Sequence, residues 1–304
     1  MRPVKILLIM FVVVATVSLL GACAGTPKNT AVQDNVNHIR EAAEQGDTKA
    51  QYKLGVMYGI GQGVPQDYQE AAKWFSQAAT KGYAEAQYLF GLMYFEGQGA
   101  PQDYQEALKW WHKAAEQGHA VAQFNLGAMY DKGHGVPQNY QKAAEWYRRA
   151  AAQGNVAAQC NLGNLYRNGQ GVPQDYQEAV KWFRLAAEQG DAIAQGGLGV
   201  MYFAGQGVPQ DYQEALKWWR KAAEQGNAEA QFNLGVMNIK GRWVPQNGLE
   251  GYAWFIISAK NGSEKANQAK VELQRKMTAS QIAAAEQRAK EIQAELKRKK
   301  SAAP

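Results

Sequence analysis

The chain has 304 residues, of which 46% are hydrophobic and 20% are charged, and its formal net charge at pH 7 is +6. Such a mild positive balance, spread along a chain of this length, does not indicate a nucleic-acid-binding protein. The two cysteines, Cys23 and Cys160, lie far apart in the sequence, so the close cysteine spacing of a metal site is absent.

The sequence begins with basic residues that are followed by an apolar run. Arg2 and Lys5 precede an apolar run over residues 6–20, and small residues follow up to Cys23. This order is typical of a secretory signal peptide that is removed, so we predict one over residues 1–22. The alternative is an uncleaved anchor helix, but the run is shorter than the ~20 residues that a membrane span needs.

The end of this leader, Leu20-Gly21-Ala22-Cys23, resembles a bacterial lipobox. The resemblance implies cleavage before Cys23 and lipidation of its thiol. Because Ala24 rather than aspartate follows, similarity to enterobacterial sorting favours the outer membrane. We therefore expect an outer-membrane lipoprotein of the bacterial cell envelope that faces the periplasm. Residues 23–35 would be the lipidated cysteine and a flexible polar tether.

One pattern returns every 36 residues over residues 47–262. Its glutamine, proline and tryptophan anchors are Gln51, Gln87, Gln123, Gln159, Gln195 and Gln231; Pro65, Pro101, Pro137, Pro173, Pro209 and Pro245; and Trp74, Trp110, Trp146, Trp182, Trp218 and Trp254. A fixed period of this length indicates stacked supersecondary units that bury their apolar faces against their neighbours. Residues 36–46 match the end of such a unit, so we predict an N-terminal half repeat that caps the first stack.

Each unit is predicted to be a helix, a turn and a second helix. In the first copy Ala50 and Leu54 lie on one face of the first helix, and Asp67 with Glu70 marks the start of the second. Gly55 lies inside the first helix, where glycine costs about 1 kcal/mol relative to alanine. Because this glycine returns in every copy, we predict a close helix contact there.

Four motifs occur in order in this pattern: Leu-Gly-x-Met-Tyr, Gly-x-Gly-Val-Pro-Gln-Asp-Tyr, Ala-x-x-Trp and Ala-Ala-x-x-Gly. Together they resemble the Sel1-like repeat, a relative of the tetratricopeptide repeat. The resemblance implies an all-α fold, a right-handed α-solenoid of helix-turn-helix repeats, which commonly serves as a protein-binding scaffold. The last copy departs from the pattern at Arg242-Trp243, Gly248 and Gly251. A cysteine-rich branch of the family is linked with β-lactam binding or hydrolysis, but this chain lacks the cysteine pairs of that branch.

Residues 263–304 follow the last repeat and are predicted to form a capping helix and a basic tail. Thr278 and Gln281 resemble a capping box. The apolar seam that follows consists of Ile282, Ala285, Ala289, Ile292 and Leu296. Its spacing predicts a helix folded on the sixth repeat, and a coiled-coil or partner-helix surface is the alternative.

Two further predictions concern packing. Cys160 occupies a position that is aromatic or glycine in other copies, so we interpret it as a small apolar filler rather than a reactive thiol. Trp146 is expected to be shared between adjacent repeats, and its truncation to alanine to cost roughly 3–5 kcal/mol.

The sequence offers no catalytic or metal-binding constellation. The four histidines include no His-x-x-x-His pair, and the acidic residues at helix starts are explained as caps, which leaves no isolated pair of carboxylates. We therefore expect no enzyme activity, no cofactor and no metal. A cell-wall-active or β-lactam-hydrolysing enzyme is the alternative.

First-helix positions that vary between copies are the candidate binding surface, because residues present in every copy are explained by architecture. In tetratricopeptide-like solenoids the first helices line the concave groove. The candidate groove residues are Tyr52, Lys53, Tyr88, Phe124, Asn125, Asn161, Phe232 and Asn233. Asparagines beside aromatic rings can bind the backbone and side chains of an extended peptide. The alternative is that the rings pack between helices and the asparagines are solvated.

The sequence thus predicts a non-catalytic scaffold or regulator whose partner is a protein or extended peptide. Its membrane contact would be the N-terminal lipid, and no nucleic acid is expected. A surface-exposed ligand-binding lipoprotein is a further alternative.

Overall fold

A computed structural model describes residues 28–241 and 246–302, and every regular element in these two ranges is an α-helix. The predicted signal peptide and Cys23 lie outside the described residues. Helix α1 (Lys28–Glu44) precedes the repeats. The first helices of the six repeats are α2 (Thr48–Ile60), α4 (Ala84–Glu96), α6 (Ala120–Lys132), α8 (Val156–Asn168), α10 (Ala192–Ala204) and α12 (Ala228–Lys240). The second helices are α3 (Tyr68–Thr80), α5 (Tyr104–Glu116), α7 (Tyr140–Ala152), α9 (Tyr176–Glu188), α11 (Tyr212–Glu224) and α13 (Gly248–Lys260). Helices α14 (Glu264–Gln274) and α15 (Ala279–Ala302) follow.

The helices stack in chain order. Each of the first five second helices packs against the first helix of its own repeat and against the first helix of the next, whereas α13 packs against α12, α14 and α15. The chain is therefore the all-α solenoid that its period predicted. In the part of the chain that the structure describes, no helix combines the length and the apolar character needed to cross a bilayer.

Local signals in the sequence set the helix ends. Gly61 ends α2 with φ of 73°, and Asp67 begins α3 by accepting hydrogen bonds from the backbone N–H groups of Gln69 at 2.8 Å and Glu70 at 3.1 Å. The predicted start signal is confirmed. The Glu70 carboxylate, however, pairs with Lys73 at 3.2 Å, because the N–H of Asp67 is already bonded to the backbone.

The glycine inside each first helix faces a buried aromatic ring. If a Cβ atom were added, it would lie 2.3 to 2.8 Å from the nearest ring atom. The six pairs are Gly55 with Phe75, Gly91 with Trp111, Gly127 with Tyr147, Gly163 with Phe183, Gly199 with Trp219 and Gly235 with Phe255. The predicted close contact is therefore confirmed, and it brings the two helices of each repeat together.

A buried glutamine joins each repeat to the one before it. The amide of Gln159 donates to the carbonyl of Ala151 at the end of the preceding second helix, 3.2 Å away. Its side-chain oxygen accepts from Gln189 at 2.8 Å, beyond the end of its own second helix. The other five glutamines donate to the equivalent carbonyls in the same way. Each of the six amide nitrogens is thus bonded, which holds the repeats in register, whereas the buried side-chain oxygen of Gln51 has no partner in the described ranges.

Helix α1 takes the place of a preceding second helix, since the carbonyl of Ala43 accepts from Gln51 at 3.1 Å. It begins at Lys28, so residues 28–35 are helical where the composition predicted a flexible tether. The prediction of a flexible tether is therefore wrong for residues 28–35. Val36 is fully buried, so the helix has a contact at its centre that composition alone did not indicate.

The C-terminal seam lies against the solenoid. Ala289 and Ile292 of α15 are buried with Ala253 and Ile257 of α13. The seam is thus used within the chain, as a cap on the sixth repeat, and the predicted capping box forms at Thr278. Helix α14 was not predicted as a separate element.

Candidate functional site

The candidate groove residues lie on first helices but differ in accessibility. Lys53 is exposed, whereas Tyr88 is only 5% exposed. The other six are half-buried, namely Tyr52, Phe124, Asn125, Asn161, Phe232 and Asn233. Because the Tyr88 ring is enclosed, it is not available to a partner, and we remove it from the candidate surface.

The aromatic rings of this surface pack within and between repeats. Tyr52 contacts Tyr83, with ring centroids 5.1 Å apart, and Phe232 stacks on Phe255 at 5.5 Å. Tyr88 stacks on His119 of the next repeat at 4.7 Å, and burial raises its pKa to about 12. These rings therefore contribute to helix packing, and the half-buried Tyr52 and Phe232 are only partly available to a partner.

The asparagines differ in their neighbours. The Asn125 side chain lies beside the Tyr88 hydroxyl and lowers its pKa, against the larger effect of burial. Asn161 lies in the same way beside Tyr147. Asn233 has no tyrosine hydroxyl of this kind beside it in the described ranges. The position that corresponds to Tyr88 before Asn125 is Gly196, which has no side chain. The Asn233 amide is therefore not engaged by a tyrosine hydroxyl, although it is half-buried like those of Asn125 and Asn161.

The fifth repeat interrupts the row of aromatic rings. Gly196 carries no side chain, and a Cβ atom added there would meet only the Asn227 side chain, at 3.6 Å or more. Ile193 on the same helix is 62% exposed. Sequence reasoning did not select Ile193, although an isoleucine where Lys49 and Glu229 stand in other copies was a visible signal.

Cys160 is buried, as predicted for an apolar filler, with 3% of its surface exposed. Burial, assisted by the nearby Asp191, raises the pKa of its thiol to about 12. The thiolate, which is the reactive form of cysteine, is therefore disfavoured at neutral pH. Across residues 28–241 and 246–302, no group of three or more His, Cys, Asp or Glu side chains is arranged to hold a metal ion.

Comparison with known proteins places the repeats in a family. The family model described as Sel1 repeat matches six segments, at residues 48–83, 84–119, 120–155, 156–191, 192–227 and 228–263. These segments agree with the predicted repeats to within one residue. No curated protein matches the chain significantly.

Two solved structures are similar to this chain in both sequence and fold. One is a protective antigen of uropathogenic Escherichia coli strains, which is 37% identical over 84% of this chain with a TM-score of 0.75. This chain spans 57% of the length of that protein. The other, a Sel1 repeat protein from Oxalobacter formigenes, is 32% identical over 77% of this chain and 97% of its own, with a TM-score of 0.62. The chain therefore belongs to the Sel1 repeat family, as an all-α solenoid of six repeats.

Proposed function

We propose that this protein is a non-catalytic scaffold that binds a partner protein or extended peptide through its first helices. A lipid on Cys23 would hold it at the bacterial cell envelope, in the outer membrane and facing the periplasm. The observation that carries the proposal is a difference in burial between two classes of position on the same helices.

Positions that repeat in every copy are buried, and most positions that vary reach the surface. In α6, for example, Ala122 and Gln123 are buried, whereas Phe124 and Asn125 are half-buried. A surface whose composition changes from repeat to repeat offers a different contact at each step of the solenoid. Such a surface suits an extended partner, which can reach several repeats at once.

The chemistry of this surface favours a peptide backbone. The side-chain amides of Asn125, Asn161 and Asn233 each provide donors and an acceptor, so they can bond to backbone groups of either polarity. The ring edges of Phe124 and Phe232 give apolar contact beside them.

The binding proposal is tested by affinity capture from cross-linked native envelopes. Tagged wild-type protein is compared with a variant in which Asn125, Asn161 and Asn233 are all changed to alanine. We expect a partner that the wild type captures and the variant loses, with unchanged helix content by circular dichroism.

A matched control places three alanines on the exposed side of the second helices, at Lys109, Glu145 and Lys181. This control should capture the partner as well as the wild type does. Equal capture by the wild type and the asparagine variant would remove the groove from the proposal.

The lipid anchor is tested separately. Incorporation of labelled palmitate into the wild type but not into a Cys23→Ser variant is expected, together with loss of the variant from the outer-membrane fraction. An unlabelled wild-type chain would contradict the anchor and leave the binding proposal intact.

Catalysis is tested with a spectrophotometric β-lactam assay and with digestion of muropeptides by the purified protein. We expect no turnover in either assay. Turnover that survives further purification would replace the scaffold proposal with an enzyme.

A second candidate function is supported by the similarity to the protective antigen of uropathogenic Escherichia coli. By that analogy the chain would be a surface-exposed, ligand-binding lipoprotein. Protease treatment of intact cells distinguishes the two, because a periplasm-facing protein is protected and a surface-exposed one is cleaved.

A further inference from the structure

A cavity of about 510 Å³ lies between α11, α12, α13 and α15. Its volume falls within the range of small-molecule sites, which is about 300–1,000 Å³. Leu216, Leu234, Trp254 and Ile292 form apolar walls, and Arg220 is one of the polar groups that line it. None of the candidate groove residues contributes to this cavity, so it is a separate site.

Earlier repeats show what fills the equivalent space. In three places an arginine donates a hydrogen bond to the hydroxyl of a tyrosine on the following first helix. The pairs are Arg40 with Tyr58 at 3.4 Å, Arg148 with Tyr166 at 2.9 Å and Arg184 with Tyr202 at 2.7 Å. The Tyr202 ring also packs against the core that contains Val180 of α9, a position that the period aligns with Leu216 of the cavity.

The junction between the fifth and sixth repeats keeps the arginine and loses the tyrosine. The 36-residue period aligns Arg220 with Arg184 and Asn238 with Tyr202. The shorter Asn238 side chain donates to the carbonyl of Leu234 at 2.9 Å within its own helix. The space that a tyrosine ring occupies one repeat earlier is therefore part of the cavity here.

One cationic side chain that lines the cavity, Arg220, has no anionic partner in the described ranges. Arg288 pairs with Glu250 at 2.7 Å and with Glu295 at 3.2 Å, and Lys299 pairs with Glu224. Arg220 makes no hydrogen bond or ion pair with any residue in the described parts of the chain. Its guanidinium carries several N–H donors and lies beside apolar walls that can hold a ring.

We propose that this cavity binds a phenol ring, such as that of a tyrosine side chain. The phenol oxygen accepts a hydrogen bond from Arg220, and the ring lies against Leu234, Trp254 and Ile292. The ligand thus supplies from outside the group that Tyr202 supplies within the preceding repeat. Because α15 provides Ile292, the site is complete only when this helix is docked. The proposal is independent of the groove.

The site is tested by titrating the full chain with 4-methylphenol and following its amide resonances by NMR. We expect saturable shifts in α11, α12 and α13. Toluene, which has the same ring without the oxygen, should bind about tenfold more weakly, because a hydrogen bond to a charged group is lost. N-acetyl-L-tyrosinamide is titrated in the same way in a second experiment. If it also binds, a tyrosine of a peptide can enter the site, and if only 4-methylphenol binds, the ligand is a free phenol.

Matched variants connect the shifts to the cavity. Asn238→Tyr restores the pattern of the earlier repeats and should abolish binding by filling the site. Arg220→Gln should weaken binding about tenfold, whereas Arg184→Gln, one repeat earlier, should leave it unchanged. Arg220 is on the surface, so this variant keeps its fold even if Asn238→Tyr does not.

Three results would overturn the proposal. They are the absence of saturable shifts with 4-methylphenol, equal affinity for toluene, and equal losses in the Arg220→Gln and Arg184→Gln variants. Each points away from an arginine-bound phenol in this cavity.

Discussion

The glycine inside each first helix is fixed by contact with a ring. A Cβ atom at Gly127 would lie 2.5 Å from Cδ1 of Tyr147, which is closer than two non-bonded carbon atoms can approach. We therefore expect Gly127→Ala to lower the free energy of unfolding by about 1–3 kcal/mol, despite the better helix propensity of alanine. Urea unfolding followed by circular dichroism measures the change.

Gly248 provides the control, because it is helical and a Cβ atom there would meet nothing within 4 Å. Gly248→Ala should be neutral or stabilising by up to about 1 kcal/mol. If both substitutions destabilised the protein equally, the contact with Tyr147 would not be the cause.

His119 makes one repeat boundary sensitive to pH. Its Nδ1 atom accepts a hydrogen bond from the N–H of Ala122 at 3.2 Å, and burial lowers its pKa below 6.5, against a weaker opposite effect of Glu85. The unfolded chain therefore takes up this proton at a higher pH than the folded chain does. The contribution to stability is complete above the unfolded pKa of about 6.5 and is lost as the pH falls below it.

The test compares urea midpoints between about pH 8 and pH 5 for the wild type and His119→Asn. Asn155 is the natural cap of this kind in the next repeat. We expect the variant to lose less stability on acidification, with a remainder from His112, whose pKa burial also lowers. The same loss in both proteins would show that the cap does not titrate.

Adjacent aromatic residues of α7 differ in burial, and this changes the expectation for Trp146. Tyr147 is 1% exposed, whereas Trp146 is half-buried and one face of its ring is covered by the Arg149 guanidinium at 4.6 Å. Trp146 nevertheless contacts the cores of both the second and the third repeat, as predicted.

We expect Tyr147→Ala to cost about 3–5 kcal/mol and Trp146→Ala about 2–3 kcal/mol. Because Trp146 joins two repeats, its loss should split urea unfolding into two transitions, which circular dichroism and tryptophan fluorescence would report at different midpoints. A larger loss for Trp146 than for Tyr147 would contradict the burial seen here.

The elements that the sequence predicted well depend on local signals. Gly61 and Asp67 set the ends of helices through bonds within a few residues, and Thr278 with Gln281 does the same for α15. The features that the sequence predicted wrongly depend on contacts between repeats. Tyr88 varies as a binding residue would, but its ring is enclosed by His119 from the next repeat.

The candidate surface was therefore only partly predictable. The sequence identified which first-helix positions vary, and the structure shows which of them are covered. The cavity beside Arg220 depends on the absence of a tyrosine at Asn238 and on the placement of α15. The placement of α15 is a long-range contact that no local pattern contains.

The solenoid as a whole is closed at its C-terminal end by α15. Ala253 and Ile257 of α13 lie under this helix, at positions that are Lys217 and Lys221 on the preceding second helix. A chain that ends at Met277 would expose them. We expect it to unfold at lower urea concentration, starting from the sixth repeat, and to self-associate, because an apolar surface is uncovered.

Size-exclusion chromatography and urea unfolding measure both effects. Removal of residues 301–304 alone is the control, since the seam of α15 ends at Leu296. If the chain ending at Met277 stayed monomeric and as stable as the control, α15 would not be a structural cap.

The buried glutamines make the junctions between the inner repeats alike. Gln159 bonds to Ala151 in the helix before it and to Gln189 within its own repeat, and equivalent bonds recur at intervals of 36 residues from the second repeat to the sixth. Each unit therefore recognises its neighbour by the same few atoms, whichever unit that neighbour is. An inner unit could be duplicated or excised, at any point of the period, and these glutamine bonds would remain at every inner junction. The number of repeats in this architecture can thus change one repeat at a time, while the terminal helices α1 and α15 stay the same.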